Sequence, residues 1–556
     1  MDKLKKEVAE FDINRMTMII IGVLLVLIKL ALSYSQYATI YPPLAPLDDD
    51  LMFRAAQSVA KGNWLGEYSY LTISKHMFFS LWLAFLHIIK IPYMVGNMAL
   101  WALAALCFTV AFCPVLKRNW GKLFMFAGIL YNPAISAQFS TRIYRDSIFP
   151  ALCVFFFAGV IAVGLRYKQP LKKLCGWLAM YGAAFGLIFL CREDGVWVLP
   201  FWAVAFLVLS FIVLKEKSSR RVGKIVGLIA PFIISGAIIA SYCFMNYEYY
   251  GRFIVSDFTS AEFKSAYGAL TSLKQDNWQP IVAVPEDVRA DVYREVPMFS
   301  PVEEELKNPH LENSFMHKTL CDYSSGSFYW ALRTALNNLG VYDSPQTAQI
   351  YLENLTAEIQ KAVDEGRLVT ENGKNKLRKS VTPPIKIQYV PSVFKEGIKS
   401  FLTVMSFEQC DPVAEMAVGS AEEIEPVEEF IRQKGARARK ENTTQLYFGP
   451  IRKVTHGFLK AMVWVYRICI PIMFVITIFW QIKQVNVDLC DKKFTVESML
   501  NIILAGLVGM SLLRCAMIAF VEVSSFGIGT YAMYLSTVHP LLIAYCFVGF
   551  NKTFEN

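Results

Sequence analysis

The sequence predicts an all-α polytopic membrane protein of about ten transmembrane helices, with a large, mainly helical domain on one side. Three observations carry that reading. The 556-residue chain is 55% hydrophobic and only 18% charged, more apolar and less charged than soluble domains usually are. Its apolar residues recur in windows near the ~20 residues that span a bilayer, each with few charges. One polar block, residues 246–460, interrupts them.

The first apolar run, Met16 to Leu32, follows a mixed-charge leader and has no small-residue cleavage site beyond it. It reads as a retained helix rather than a signal peptide. Further spans are expected at 93–115, 121–139, 147–165, 174–190, 196–214, 225–245, 461–481, 496–517 and 528–548. With the amino terminus inside, twenty basic residues fall in the leader, 117–122, 166–173, 215–224, 483–493 and the tail Lys552. The short outside segments hold seven: Arg54, Lys61, Lys75, Lys90, Arg142, Arg145 and Arg192. Lys and Arg collect in cytoplasmic loops, so this bias sets the orientation and explains the net charge of +9 without nucleic acid. The expected location is the cell membrane, with a cytoplasmic amino terminus and an extracytoplasmic large loop.

The segment 76–90 is apolar but short, and Pro92 follows it. A crossing there would move the basic loops outside. It therefore reads as an interfacial helix in the first outer loop (37–92), with His76, Trp82, His87 and Lys90 near the headgroups. Three parts result: a membrane half at 1–245, an extracytoplasmic domain at 246–460, and carboxy-terminal spans at 461–556. Within the middle part, "FYWALRTALNNLG" and "PQTAQIYLENLTAEIQKAVDEGRL" carry helical patterns. In the second, Ile350, Leu352, Leu355, Ile359 and Val363 recur near helical spacing, and Gly366 reads as a stop. The stretch 408–444 is acidic, then basic, and is expected to be mobile. Of the twelve cysteines only Cys321 and Cys410 fall in this block, leaving one disulfide open. No Cys/His spacing suits a metal.

Charged residues near the span ends gather on the outer side: Asp48-Asp49-Asp50, Lys75-His76, "STRIYRD" (140–146) and "CREDG" (191–195). Ionisable groups at a membrane are costly, so such a gathering suggests function. A carboxylate can take the proton of an incoming hydroxyl, and arginines bind phosphate oxygens with paired hydrogen bonds. Arg467 and Arg514 lie toward the outer ends of their spans, where either could neutralise a lipid phosphate or simply snorkel. Carboxylates beside guanidinium groups suit group transfer from a lipid-linked phosphate to a hydroxyl.

The stretch "DDDLMFRAAQSVAKGNW" resembles the first outer loop of the GT-C superfamily of polyprenol-phosphate-sugar-dependent glycosyltransferases. There an Asp pair precedes a helix that ends in Gly and an aromatic. "SKHMFFSLWLAFLHIIKIP" resembles the family's next segment, and "YNPAISAQFSTRIYRD" its second outer loop. "LCREDGVWVLP" is similar to the Arg/Glu-rich end of a later span, and "GTYAMYLSTVHPLL" to the last span. The double proline that the family places after its Lys/His position is Met77-Phe78 here. The resemblance implies Asp48 as general base with Asp49 in support, and Asp146 as the acid that positions the acceptor or a metal. It implies Lys75, Arg142, Arg145 and Arg192 on the donor phosphate; His76, Glu193, Arg467 and Arg514, charged groups toward the same side, are further candidate binding residues. The implied partners are a polyprenyl-phosphate-sugar and a glycan or envelope-polymer acceptor. A divalent cation is compatible with this set but not required by it. The residues by themselves leave two alternatives: a transporter or flippase of a lipid-linked or anionic solute, and a non-catalytic scaffold.

Overall fold

A computed structural model describes residues 12–43, 45–215, 221–414, 416–435, 450–491, 494–529 and 531–555. Among them the chain is helical apart from one two-stranded pairing, Met316–His317 against Asp322–Tyr323. It is an all-α polytopic membrane protein. Seven helical segments are long and apolar enough to cross a bilayer. They are Arg15–Tyr34, Tyr93–Phe112, Leu171–Cys191, Glu193–Lys215, Arg221–Tyr250, Pro450–Cys490 and Val496–Phe526.

The three other expected spans take shorter forms. Phe149–Leu165 is an apolar helix of 17 residues. The segment expected at 121–139 is broken: its helix, Asn119–Leu130, stops after 12 residues. Asn132 accepts a hydrogen bond from Ala134 N–H, and Pro133 has no N–H to continue the ladder. A one-turn helix, Pro133–Ser136, then turns the chain, and the buried Lys29 of the first span donates to Ser136 Oγ. The segment expected at 528–548 is also broken, with its helix, Val538–Glu555, starting only at Val538. Gly527 and Gly529, at φ +66° and +101°, turn the preceding residues in a conformation that disfavours side chains.

One end of the bundle gathers the irregular segments 35–77, 131–148, 192–198 and 522–537, and is called the upper end below. At the opposite end, Arg166 donates to the carbonyls of Val110 and Ala111 at 2.6 and 2.8 Å, satisfying the end of helix Tyr93–Phe112. The helix Leu171–Cys191 packs along both Phe149–Leu165 and Arg221–Tyr250. Gly182 permits the second contact, since a Cβ there would lie 2.7 Å from Pro231 Cα.

Helix Phe78–Ile88 has 11 residues, too few to cross a bilayer. Phe85, Ile88 and Ile89 stay exposed, as expected of an interfacial helix, while the other face packs inward. Phe79, Ser80, Leu83, Ala84 and Leu86 are buried, and it packs against Leu51–Ala60 and Ala421–Ile431. His76 is fully buried against Phe189 and Thr259, and His87 stacks on Phe430 of the returning chain, with centroids 3.9 Å apart. Lys90 stays exposed.

The polar block contributes to two hydrophobic cores. One is its own, built around Phe263, Phe328, Leu336, Leu355 and Ile359, and residues 257–382 form this cap. The expected helices are Ser325–Asn338 and Pro345–Asp364, and Gly366 ends the second at φ +74°. Leu352, Leu355, Ile359 and Val363 are buried, whereas Ile350 is 58% exposed. The second core is that of the membrane bundle, which Val404, Phe407, Cys410, Ile424, Val427 and Phe430 join. Much of 408–435, expected to be mobile, is therefore packed. Ser420 and Glu423 form a reciprocal cap on helix Ala421–Ile431. Residues 436–444 of that stretch, and the leader residues Lys3, Lys5 and Lys6, lie outside the described residues. Cys321 and Cys410 are unpaired: the first is exposed, while the second is buried 3.9 Å from His539 Nε2.

Cys321 lies in the cap and Cys490 at the opposite end, and both are exposed. If the charge bias sets the orientation, a membrane-impermeant maleimide labels Cys321 on intact cells. Cys490 then labels only after permeabilisation, and the reverse pattern reverses the topology.

Candidate active site at the upper end of the bundle

Three consecutive aspartates in one helical turn point about 100° apart. The turn Pro46–Asp50 is widened, with Asp50 N–H bonded to Ala45 O at 3.2 Å. Each carboxylate consequently meets a different partner. Asp48 Oδ1 accepts from Lys75 Nζ and, at 2.9 Å, from the Tyr144 hydroxyl. Arg142 clamps Asp49, with Nε 3.0 Å from both carboxylate oxygens. Asp50 pairs with the exposed Arg54 at 2.8 Å and leaves the cluster.

Backbone pairings hold the cations in place. Thr39 N–H donates to Thr141 O at 3.1 Å and Ile143 N–H to Thr39 O at 3.3 Å, fixing the strand that carries Arg142. Asp257 N–H donates to Ile73 O at 2.8 Å, tying the segment before Lys75 to the cap. Arg145 and Asp146 occupy a short turn just before helix Phe149–Leu165. Arg192 follows helix Leu171–Cys191, where Gly195 makes a tight return: a Cβ there would lie 2.9 Å from Ile188 O.

From Asp48 the charges run on as a chain. Arg142 and Arg145 lie over the Tyr144 ring, 4.9 and 5.3 Å from its centroid. Arg145 pairs with Glu193 at 2.6 Å, and Glu193 also accepts from His76 N–H at 3.2 Å. Arg192 joins Asp146 to Asp194, the latter at 2.8 Å. Arg514, fully buried, reaches Asp194 at 2.7 Å. The expected residues Asp48, Asp49, Lys75, Arg142, Arg145, Asp146, Arg192, Glu193 and Arg514 thus lie in one continuous network. His76 joins through its backbone, while its ring is occupied by Phe189 O and Thr259 Oγ1. Arg467 lies elsewhere, donating to Ser406 O at 2.6 Å at the end of helix Val390–Met405.

Exposure separates the expected catalytic carboxylates. Asp49 is 5% and Asp146 2% exposed, whereas the Asp48 side chain is 39% exposed. Among the described residues, Asp48 Oδ2 accepts no hydrogen bond, and the side chain that carries it is part-exposed. Burial favours the neutral acid at Asp48, but Lys75, Arg145 and Arg142 outweigh it and hold the pKa at about 2. At Asp49 burial prevails over Arg142, with the Asp48 charge adding to it, and the pKa rises to about 7. Burial also raises Asp146, against the opposing Arg192 and Arg145. Asp146 Oδ2 is buried without a hydrogen-bond partner.

Sequence reasoning missed five groups. Tyr144 and Asp194 sit inside "STRIYRD" and "CREDG", beside the residues those motifs singled out. Tyr534, whose ring lies 5.0 Å from the Arg192 guanidinium, sits in the segment likened to the family's last span. Trp330, 5.0 Å from Lys75 Nζ, and the adjacent Tyr329 come from the cap helix Ser325–Asn338. Arg333 on that helix is fully buried and holds it down. It binds Tyr70 O of the first loop, Asp257 at 2.6 Å and the Tyr342 hydroxyl at 3.0 Å. The described residues contain no grouping of three or more His, Cys, Asp or Glu side chains fit to hold a metal.

No protein-family model matches the chain, and no curated protein does. Two solved structures of ArnT from Cupriavidus metallidurans are similar over 96% of the chain. The apo structure shares 14% identity over 77% of its own length, with a TM-score of 0.29. The structure bound to undecaprenyl phosphate shares 13% over 78%, with a TM-score of 0.30. At such scores the backbones do not superpose closely, so the chemistry below rests on this chain's own residues.

The Asp49 shift has a checkable sign. Between its ordinary value of 3.8 and about 7, the folded chain holds a proton that the unfolded chain releases. The stability this group contributes therefore falls as pH rises through that window, then levels off. Asp48, held low, acts only at acid pH, where its stabilisation is lost as pH falls through about 2. Thermal unfolding in detergent from pH 5 to 8 should show the wild type losing ground to Asp49→Asn as pH rises. A constant difference contradicts the shift.

Proposed function

We propose that this chain is an integral-membrane glycosyltransferase of the GT-C type, moving a sugar from a polyprenyl-phosphate donor to an acceptor hydroxyl at the extracytoplasmic face. The observation that carries the reading is Asp48. One of its oxygens is fixed by Lys75 and Tyr144, the other accepts no hydrogen bond among the described residues, and the part-exposed side chain stands at the edge of a row of buried guanidinium groups. An open, oriented carboxylate beside phosphate-binding cations is what transfer of a glycosyl group to a hydroxyl requires.

In this reading the acceptor oxygen attacks the sugar's anomeric carbon and its proton passes to Asp48 Oδ2. The bond from that carbon to the phosphate oxygen breaks, and its electron pair leaves with the polyprenyl phosphate. Asp48, with a pKa of about 2, is a weak base at rest. The proton therefore moves as the new carbon–oxygen bond forms and the hydroxyl becomes acidic. A phosphate that draws Lys75 toward itself strengthens Asp48 as a base, because Lys75 is what holds its pKa down.

Charge balance supports an anionic ligand. The carboxylates Asp48, Asp49, Asp146, Glu193 and Asp194 face the cations Lys75, Arg142, Arg145, Arg192 and Arg514. With every member ionised that set is neutral. Burial favours the neutral forms of Asp49 and Asp146 and also of Lys75, while the guanidinium groups keep their charge. Four arginines then face Asp48, Glu193 and Asp194, an excess of positive charge to meet a phosphate. The rings of Tyr144 and Tyr534, set against these guanidinium groups, supply apolar faces suited to a sugar.

The test uses full-length protein in nanodiscs with a panel of undecaprenyl-phosphate-linked sugars and an envelope extract as acceptor. Release of undecaprenyl phosphate is the readout. Asp48→Asn should lower turnover by about 10²–10⁴-fold while still binding undecaprenyl phosphate. Arg192→Ala should weaken that binding. Wild-type turnover in Asp48→Asn overturns the assignment.

A further inference from the structure

Helix Val390–Met405 was expected to belong to a soluble domain, yet its surroundings are those of the membrane bundle. It packs along Val496–Val521. Gly397 makes that approach, its Cβ position lying 3.9 Å from both Ala516 and Ala519. Tyr389, just before the helix, meets Phe520 with ring centroids 6.0 Å apart. Further along, Phe401 meets Phe474 of the long helix Pro450–Asp491 at 6.1 Å. Ser400, Thr403 and Val404 face the bundle and are buried. The far end is anchored when Arg467 takes Ser406 O.

Among the described residues, the opposite face is left exposed. Val390 is 57%, Phe394 71%, Ile398 48% and Leu402 59% exposed, a stripe at i, i+4, i+8 and i+12. Ile385 and Ile387, just before the helix, are 82% and 81% exposed. At ~100° per residue, the exposed Lys395 and Lys399 lie together on one edge of this stripe. Such a stripe against water would be costly, and solvated helices of soluble domains do not carry one. The two spans it packs against carry exposed apolar residues of their own, Ile468, Ile472, Val475, Phe479, Leu512 and Leu513. An apolar stripe edged by lysines is the pattern of a helix lying in a lipid–water interface.

We infer that Val390–Met405 is seated in the lipid of the upper membrane interface, with its stripe against acyl chains and Lys395 and Lys399 at lipid phosphates. The cap is then tied to the membrane at its carboxy-terminal edge as well as through the first loop. The inference is independent of the proposed activity.

Spin labels placed singly at Phe394→Cys and Ile398→Cys, in the full-length protein with its native cysteines replaced, test this in liposomes. Phe479→Cys serves as the lipid-facing control and Lys361→Cys, on the cap, as the aqueous control. The expected ratio of oxygen to nickel-chelate accessibility at 394 and 398 matches 479 and exceeds 361 severalfold. A ratio like that at 361 overturns the inference. So does protection from both quenchers, which means that a second copy or another protein covers the stripe. Should the cysteine-free chain not fold, a genetically encoded photocrosslinker at 394 in the native background gives the same decision. A phospholipid adduct supports the inference, and an adduct to another chain, or none, overturns it.

Discussion

The pairing of every buried carboxylate with a guanidinium or ammonium group is the constraint on which the upper end of this protein depends. Isolated ionised groups out of water cost several kcal/mol each, so the acids of this cluster are enclosed only where cations accompany them. The cations come from distant parts of the chain: Lys75 from the first loop, Arg142 and Arg145 from the second, Arg192 from a helix end and Arg514 from a late span. Meeting this condition fixes how the loops and span ends assemble. The breaks at Asn132-Pro133 and Gly527 belong to the same economy of space, since unbroken helices would leave no room for the cluster.

Geometry then divides similar groups into different tasks. Asp48 and Asp49 are neighbours in sequence, but the helical turn sends them to different partners. One ends partly exposed and strongly ionised, the other sealed and near neutrality. That separation of two adjacent acids is how one site obtains both a reachable base and a reservoir of charge. The aromatic groups complete the separation. Tyr144 touches Asp48 and lies under two guanidinium groups, so it positions the base and spreads the positive charge at once.

The cap is fastened to the first loop beside the cluster, and its attachment is as specific as the site. Arg333 binds the first loop through Tyr70 O and the cap through Asp257 and Tyr342. Trp330, on the same face one turn earlier, thereby comes to rest beside Lys75. The chain then returns from the cap by way of an amphipathic helix laid on the spans, and 406–435 runs back over the first loop. Ala38 N–H to Lys434 O at 2.8 Å is one stitch of that return.

The sequence by itself determined the membrane class, most of the spans, the interruption by a polar block, and the set of charges that converge. Those features are written in local composition: apolar windows, basic loops and acids beside arginines at span ends. For segment 76–90 the basic loops argued against a crossing, and the structure limits its helix to eleven residues, too few to span a bilayer. Only the tertiary structure decided which carboxylate is open, since burial and pairing of Asp48, Asp49 and Asp146 depend on loops far apart in the chain. It alone brought Tyr329, Trp330 and Tyr534 to the site, because an amphipathic pattern shows that a face is buried but not against what. It also broke two expected spans and moved helix Val390–Met405 onto the bundle. A hydropathy window averages over the turn residues and lysines that decide both outcomes.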